Sequence, residues 1–397
     1  MFKKYNLKHY NFRLLALVLI TSIFGLVIIN SADSSYTIRQ AGGIIGCSAW
    51  MIFLSFVDYK KILKHYKILY IVTIAILVAV LVLGTTAMGA QRWIVIGGFR
   101  IQPSEISKVL LVLFLSAVLG QKKERLDSWK FLAFLAVILL IPLGLIVMEP
   151  DLSQTILIFL ILFTVIFAAE MPYRKLWKIL AVVVPIAIVL FIYIQNPDQK
   201  LLKPYQWYRV MAFINPEEYD DSVYQQHNAV QAIGSGGLSG KGLNNDDPTS
   251  LLNSNYIPEA HTDFIFAALG EQLGFVGCMV AIGLLVAIVV ECVIIAVRSK
   301  DYSGRLIGMG FAAHVALQTL FNIGVVTQLL PNTGLALPFF TYGLSSLLTL
   351  FTAMGIVLNV SLQREPHKEK DIYTKDFVDV KAYRDKNDKR DKIKVRF

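Results

Sequence analysis

Long apolar runs alternate with short polar loops along most of the chain. A helix needs about 20 apolar residues to cross a bilayer core, and about ten runs approach that length. Lipid cannot satisfy exposed backbone groups, so runs of this kind are expected to be helical. The pattern therefore predicts an all-α polytopic membrane protein with about ten transmembrane helices.

The ten predicted spans cover roughly residues 14–30, 42–57, 69–83, 106–119, 131–147, 155–169, 179–194, 264–297, 306–326 and 345–362. The eighth run exceeds one bilayer thickness, so it is either a tilted helix or a short interfacial helix followed by a span. Gly270, Gly274 and Gly277 favour the broken form.

Composition agrees with this assignment. Hydrophobic residues make up 55% of the chain and charged residues only 17%, which excludes an ordinary soluble protein. Lys3, Lys4 and Arg13 precede the first apolar run, which we interpret as an uncleaved span rather than a signal peptide. The three cysteines, at positions 47, 278 and 292, lie in apolar runs, so we predict neither a disulfide nor a metal cluster.

The net charge of +10 would suggest nucleic-acid binding in a soluble protein, but its distribution here indicates topology instead. Lysine and arginine concentrate in alternate loops, within residues 60–67, 122–125, 174–178 and 298–305. The positive-inside rule places these loops and both termini in the cytoplasm. The long loop at about residues 195–262, between spans seven and eight, is then extracytoplasmic. We predict no nucleic-acid partner.

Two regions are predicted. Residues 1–363 form the transmembrane domain, and residues 364–397 form a disordered cytoplasmic tail with twelve Lys or Arg against eight Asp or Glu. A solvated tail is the preferred interpretation, and contact of its basic residues with anionic membrane lipid is the alternative.

Polar side chains collect in the loops assigned to the outside. The first group contains Arg92, Trp93, Gln102, Ser104, Glu105 and Lys108. Pro103 suits the first turn of a helix, and Glu105 and Lys108 then project from one face and can pair. Two roles are open for this pair: it pins neighbouring helices together, or it binds an anionic head group. Glu149-Pro150-Asp151 is interpreted as ordinary turn chemistry.

The second group is the glycine-rich run at residues 234–242, which ends in Lys241 and Gly242. Such a run could form a nest of backbone amides for phosphate, with Lys241 supplying charge, or it could be a flexible hinge. It does not match a Walker motif.

The third group is Glu259, His261 and Asp263, with Asp263 at the start of the eighth span. An ionisable residue at that depth is costly and therefore a functional-site hypothesis. Glu259 lies one helical turn before Asp263, and paired carboxylates can produce a general base that works near neutral pH. Alternatively, Asp263 caps the following helix. The irregular segment at residues 330–346 is expected to close the site from another side.

At these motifs the chain resembles the SEDS family, the RodA, FtsW and SpoVE group of bacterial peptidoglycan polymerases. The resemblance rests on Arg92-Trp93, on the QPSE segment with Lys108, on the GSGGLSGKG loop, on PEAHTDFIFAALGEQLGF and on LPNTGLALPF followed by TYGLSS. Family members usually have SYGGSS in the last motif, so Leu344 replaces a glycine here.

The resemblance implies a glycosyltransferase that polymerises lipid II on the outer face of the bacterial cytoplasmic membrane, beside a class B penicillin-binding protein. It implies that Asp263 is the essential acid. We predict that the substrate-binding residues are Arg92, Trp93, Gln102, Ser104, Glu105, Lys108, Lys241, Glu259 and His261. The tyrosine- and glutamine-containing run at residues 224–228 favours a RodA-like elongation role over division or sporulation.

The residue types at these positions suit a glycosyl transfer. Joining two lipid-linked sugars requires a base for the acceptor hydroxyl and positive charge for the departing pyrophosphate. Asp263 is the candidate base, and Arg92, Lys108, Arg209 and Lys241 are the candidate cations. A divalent cation, Mg²⁺ or Mn²⁺, could assist, although the sequence contains no recognisable set of metal ligands. The alternatives are a flippase for a lipid-linked precursor and a non-catalytic membrane scaffold for a cell-wall synthase.

Overall fold

The computed structural model describes residues 9–87, 90–97, 99–244, 249–252, 254, 256–257 and 260–363. In these residues the chain is mostly helical. The helices are α1 (Phe12–Ala32), α2 (Thr37–Ser55), α3 (Tyr59–Lys64), α4 (Tyr66–Leu83), α5 (Pro103–Gln121), α6 (Trp129–Met148), α7 (Leu152–Ala168), α8 (Tyr173–Ile194), α9 (Pro204–Ile214), α10 (Asp220–Ser235), α11 (Ile265–Val297), α12 (Tyr302–Val326) and α13 (Leu344–Leu362).

The all-α polytopic fold is confirmed. Each of the ten predicted spans corresponds to a helix, and eight of these in the described residues are long and apolar enough to cross a membrane. Helix α7 is apolar but shorter, with 17 residues. Helix α2 is less apolar because its first turn carries Arg39 and Gln40. The predicted tail at residues 364–397 lies outside the described residues.

The centre of the bundle is formed by α5, α12 and α13, whose side chains are mostly buried, and by the first part of α11, where residues 265–272 are all buried. One apolar core joins α1 and α2 to α11, α12 and α13. A second apolar core is formed by α4, α5, α6 and α7. Helix α8 lies at the periphery, and Leu176 is its one buried residue. The polar side chains of α5 and α12 are thereby shielded from lipid.

Two kinds of structure occur where the sequence predicted loops. A three-stranded antiparallel sheet connects α4 to α5, with strands β1 (Thr85–Ala87), β2 (Ala90–Ile96) and β3 (Phe99–Ile101). The long loop at residues 195–262 contains α9 and α10. Their alanines Ala212, Ala229 and Ala232 are buried, because α10 packs against α11 and α9 packs against α10.

Helix α11 is broken at Gly274, which has φ 62° and ψ −160°. This confirms the broken form of the eighth run. The amides of Phe275 and Val276 leave the helical ladder and donate to the carbonyls of Gly237 and Leu238, at 2.9 and 3.1 Å. In return, Lys241 N and Gly242 N donate to the carbonyls of residues 271 and 272. The glycine-rich loop thus completes the hydrogen bonding of the broken helix.

The two ends of the bundle differ in character. One end carries the sheet, the α6–α7 connection, α9, α10, Asp263 and the α12–α13 connection; we call it the loop end. The other carries α3 and the connections α5–α6, α7–α8 and α11–α12, with most of the basic residues; we call it the basic end. There Glu170 bridges Lys123 and Arg305, at 3.0 and 2.6 Å.

Candidate active site

Asp263 lies at the loop end, one residue before Phe264, the N-cap residue of α11. It is therefore not at the N-cap position that the alternative interpretation required. Its side chain is half-buried, and a Cβ atom built on Gly334 would lie 3.0 Å from Asp263 Oδ2. The carboxylate therefore lies directly against the irregular segment after α12, which closes this side of the site as predicted.

The backbone before Asp263 is fixed to the same segment. Tyr342 N donates to His261 O at 3.0 Å, and the Thr341 hydroxyl donates to Thr262 O at 3.2 Å. The His261 ring stacks on Tyr36, with ring centroids 4.2 Å apart. His261 is thus half-buried in an aromatic contact. Glu259, predicted to share the face of Asp263, lies outside the described residues.

A second group of polar side chains surrounds the turn between α6 and α7. The guanidinium of Arg92 on β2 donates to Pro150 O and to Tyr205 Oη, the latter at 2.8 Å, and its Nε lies 3.8 Å from Asp151 Oδ2. Gln102 Nε2 donates to the same Asp151 oxygen at 3.1 Å. Arg92 and Gln102, both predicted site residues, therefore meet at Asp151, a residue that the sequence suggested was an ordinary part of a turn.

Arg209 on α9 connects this group electrostatically to Asp263. Burial and the neighbouring positive charge of Arg92 lower the pKa of Arg209, whereas the negative charges of Asp263 and Asp151 oppose that shift. Arg209 is half-buried. Both guanidinium groups meet Tyr205: Arg92 donates to its hydroxyl, and the Arg209 guanidinium lies 6.0 Å from the centroid of its ring. Two guanidinium groups arranged around one side chain suit a negatively charged ligand. Trp93, the neighbour of Arg92 on β2, is half-buried in the sheet.

Glu149 has no accessible surface, and neither of its carboxylate oxygens has a hydrogen-bond partner. Burial, followed by the negative charge of Asp151, raises the pKa of Glu149 to about 8, against the opposing effect of Arg92. Burial also raises the pKa of Asp151. A pKa raised in this way favours the protonated, neutral form of Glu149 at pH 7. The interpretation of this turn as simple loop chemistry was wrong, because both acids are buried beneath Arg92.

Glu149 gives a testable pH dependence. The folded state holds its proton up to about pH 8, whereas an unfolded chain releases it near pH 4.5. Folding stability therefore falls as pH rises through this interval, by at most about 5 kcal/mol. We expect Glu149→Gln to remove this slope and to raise the thermal midpoint above that of the wild type at pH 8–9, as measured by tryptophan fluorescence in detergent.

The control for that measurement is Glu217→Gln, which removes an exposed carboxylate in the loop after α9. It should leave the pH dependence of the midpoint unchanged. Parallel pH profiles for wild type and Glu149→Gln would mean that Glu149 is ionised in the folded protein.

The predicted pairing of Glu105 and Lys108 is confirmed, with Lys108 Nζ 2.8 Å from Glu105 Oε1. The pair is almost fully buried. Lys108 also donates to Gln318 Oε1 of α12 at 3.0 Å, and Gln154 of α7 donates to Glu105 Oε1 at 2.7 Å. Ser104 is buried as well. The pair thus joins α5 to α7 and α12, which favours the pinning role over direct contact with a head group.

The glycine-rich loop forms neither a phosphate nest at residues 240–242 nor a loose hinge, the two alternatives that the sequence left open. The amides of Gly240, Lys241 and Gly242 are all bonded to backbone carbonyls. A Cβ on Gly240 would meet Gln272 O at 2.1 Å, so glycine is required by the contact with α11. Lys241 Nζ lies 2.8 Å from Glu271 Oε1, and Glu271 also accepts from Leu251 N. A ligand at Lys241 would have to compete with this ion pair.

A row of polar side chains on α12 was not predicted from the sequence. His314, Gln318 and Asn322 recur every four residues and are buried. Residues spaced by four share one helix face, and polar residues within a span usually face the bundle interior, so this spacing could have identified them. No group of three or more His, Cys, Asp or Glu residues within the described part of the chain is arranged to hold a metal ion. Dependence on Mg²⁺ or Mn²⁺ stays a prediction.

Comparison with known proteins decides the family. Residues 8–366 match the family model described as "Cell cycle protein", which covers FtsW, RodA and SpoVE. The chain belongs to this family. Similar curated proteins are each named "Probable peptidoglycan glycosyltransferase FtsW". The one from Trichlorobacter lovleyi is 33% identical over 90% of this chain and 95% of its own length, and that of Bacillus subtilis is 34% identical over 90% and 92%.

Solved structures of the family have the same fold. RodA of Thermus thermophilus superposes with a TM-score of 0.66 and 28% identity, covering 90% of this chain and 98% of RodA. A chain from a study of polymerisation and crosslinking by a peptidoglycan synthase complex gives a TM-score of 0.73 and 29% identity, covering 89% and 97%. The resemblance to SEDS proteins is confirmed. The preference for a RodA-like role is not, because these curated relatives are FtsW proteins.

Proposed function

We propose that this protein polymerises lipid II into glycan strands at the outer face of the bacterial cytoplasmic membrane. The glycosyltransferase class is that of curated relatives about one-third identical over nine-tenths of the chain. The observation that carries the proposal is the half-buried Asp263 carboxylate at the loop end, which lies against Gly334 of the segment after α12.

In the proposed reaction Asp263 takes the proton of the acceptor hydroxyl. The acceptor oxygen forms a bond to the anomeric carbon of the donor sugar, and the bond from that carbon to the lipid pyrophosphate breaks. Arg92 and Arg209 would bind the departing pyrophosphate, because both are partly accessible and both contact Tyr205. Lys108, also a candidate cation from the sequence, is not assigned this role, since its ammonium group is buried.

The other residues predicted to bind substrate take different roles in this proposal. Trp93, Gln102 and His261 are half-buried at the loop end and stay candidate substrate contacts. Ser104, Glu105 and Lys108 are proposed to support the wall of the site, since they are buried. Lys241 is proposed to act only if its ion pair with Glu271 opens. Glu259 stays a prediction from sequence.

The loop end would face outward, because the basic end carries the lysine- and arginine-rich connections expected in the cytoplasm. We propose a class B penicillin-binding protein as the partner that cross-links the product, supported by the similarity to a chain of a peptidoglycan synthase complex. The elongation role stays a prediction, and the FtsW relatives favour division. Sidewall or septal localisation of a fluorescent fusion distinguishes the two roles.

The decisive experiment uses purified full-length protein, lipid II and no other polymerase, with and without a cognate class B penicillin-binding protein whose transpeptidase serine is replaced. We expect glycan strands, resolved by gel electrophoresis, in at least the reaction that contains the partner. Absence of strands in both reactions would contradict the proposed activity. Movement of lipid II across vesicle membranes without polymerisation would instead favour a flippase. If the protein shows neither activity, a scaffold is favoured.

A further inference from the structure

The polar row on α12 lies between two parts of the proposed site. His314, Gln318 and Asn322 have at most 1% of their surface exposed. Polar groups buried in a membrane-spanning helix are costly unless they are hydrogen-bonded, so each bond that they make is informative. The bonds of Asn322 and Gln318 lead to backbone on both sides of the Asp263 carboxylate.

Asn322 donates two hydrogen bonds through the same amide nitrogen. Its Nδ2 lies 2.7 Å from Asp263 O and 2.7 Å from Leu335 O. Leu335 follows Gly334, the residue that lies against the Asp263 carboxylate. A closed ring therefore runs from Asn322 to the Asp263 backbone, through the carboxylate to Gly334, and back through Leu335 to Asn322.

Gln318, one turn earlier, holds the next residue of the same segment. Its Nε2 donates to Ala336 O at 2.9 Å. Its Oε1 accepts from Lys108 Nζ and lies 3.0 Å from His314 Nε2. Gln318 thus connects the buried Glu105–Lys108 pair to the segment that carries Gly334.

We propose that Asn322 and Gln318 are positioning residues that fix the Asp263 carboxylate against Gly334. This inference rests on the proposed function, in which Asp263 is the base. A base must lie within hydrogen-bond reach of the proton that it takes, and a displacement of about 1 Å can cost about 100-fold in rate. The two side chains hold the backbone on both sides of the carboxylate and need not touch substrate themselves.

The test compares Asn322→Asp with Thr319→Val in the full-length protein. The first is nearly isosteric, but it replaces an amide that donates two hydrogen bonds with a carboxyl group that can donate at most one, and only when protonated. The second is also nearly isosteric, and it removes a hydroxyl that bonds only within α12, to Val315 O. For Asn322→Asp we expect kcat for lipid II polymerisation to fall by about 10- to 100-fold, with KM within about twofold of wild type. Thr319→Val should match wild type in both constants.

Hydrogen–deuterium exchange provides a readout that does not depend on activity. Peptides covering residues 260–265 and 333–338 should exchange faster in Asn322→Asp than in Thr319→Val or wild type. Unchanged exchange in both peptides, or an unchanged kcat in a variant with a lowered thermal midpoint, would overturn the proposal. If Asn322→Asp does not fold, Gln318→Met tests the same link, with the same expected fall in kcat and faster exchange at residues 333–338.

Different results would contradict the proposed polymerase activity and the proposed positioning role of Asn322. If wild-type protein does not polymerise lipid II, the proposed function falls, while the exchange data still report whether Asn322 holds the Asp263 segment. If wild type polymerises and Asn322→Asp retains its kcat, only the positioning role falls.

Discussion

Replacement of Asp263 by asparagine is expected to lower lipid II polymerisation by at least about 100-fold, because it removes the proposed general base. The substitution is nearly isosteric, and the Asp263 backbone carbonyl, which accepts from Asn322, is unchanged. The variant should therefore insert, fold and bind its partner as wild type does. Glycan strand formation by purified protein measures the effect, with size-exclusion profile and thermal midpoint as checks of folding.

Asp198→Asn is the matched control, because it makes the same chemical change at an exposed position after α8. It should polymerise at the wild-type rate. If Asp263→Asn is folded and its rate lies within a few-fold of wild type, Asp263 is not the base. A structural role at the start of α11 would then be the better interpretation.

Much of the fold follows from local rules that the sequence displays directly. Run length and hydropathy located the ten predicted spans, because a bilayer core imposes a nearly fixed length on each span. The break in α11 was predictable because Gly274 can adopt a positive φ at little cost. What fills the break was not predictable, since the partner loop at residues 236–242 lies some thirty residues earlier and meets the helix only in the folded chain.

The candidate site shows the same difference between features set by local sequence and features set by long-range packing. The pairing of Glu105 with Lys108 depends on helix periodicity alone, so the sequence predicted it. The contacts of that pair with Gln154 and Gln318 depend on how three helices pack. The burial of Glu149 also depends on tertiary structure, because acids beside a proline in a turn are usually solvated. Local pattern identified single residues and their helical neighbours, whereas long-range packing decided their partners.

Removal of Lys108 alone should destabilise the protein strongly. Lys108→Met leaves the Glu105 carboxylate buried without its counter-charge, and breaking a buried ion pair in this way costs about 3–5 kcal/mol in soluble proteins. We expect a large fall in thermal midpoint and, with it, little recoverable polymerase activity. Lys123→Met is the control, because it breaks an exposed ion pair with Glu170 at the basic end and should change the midpoint little.

The double variant Glu105→Gln with Lys108→Met separates the two roles that the sequence left open. It removes both charges and keeps an amide oxygen that can accept from Gln154, so the thermal midpoint should return close to that of wild type. If the pair acts by pinning α5 to α7 and α12, polymerisation should return together with stability. A double variant that is as stable as wild type but inactive would instead show that the Lys108 ammonium group acts on the substrate, which would require the site to open further than in this structure.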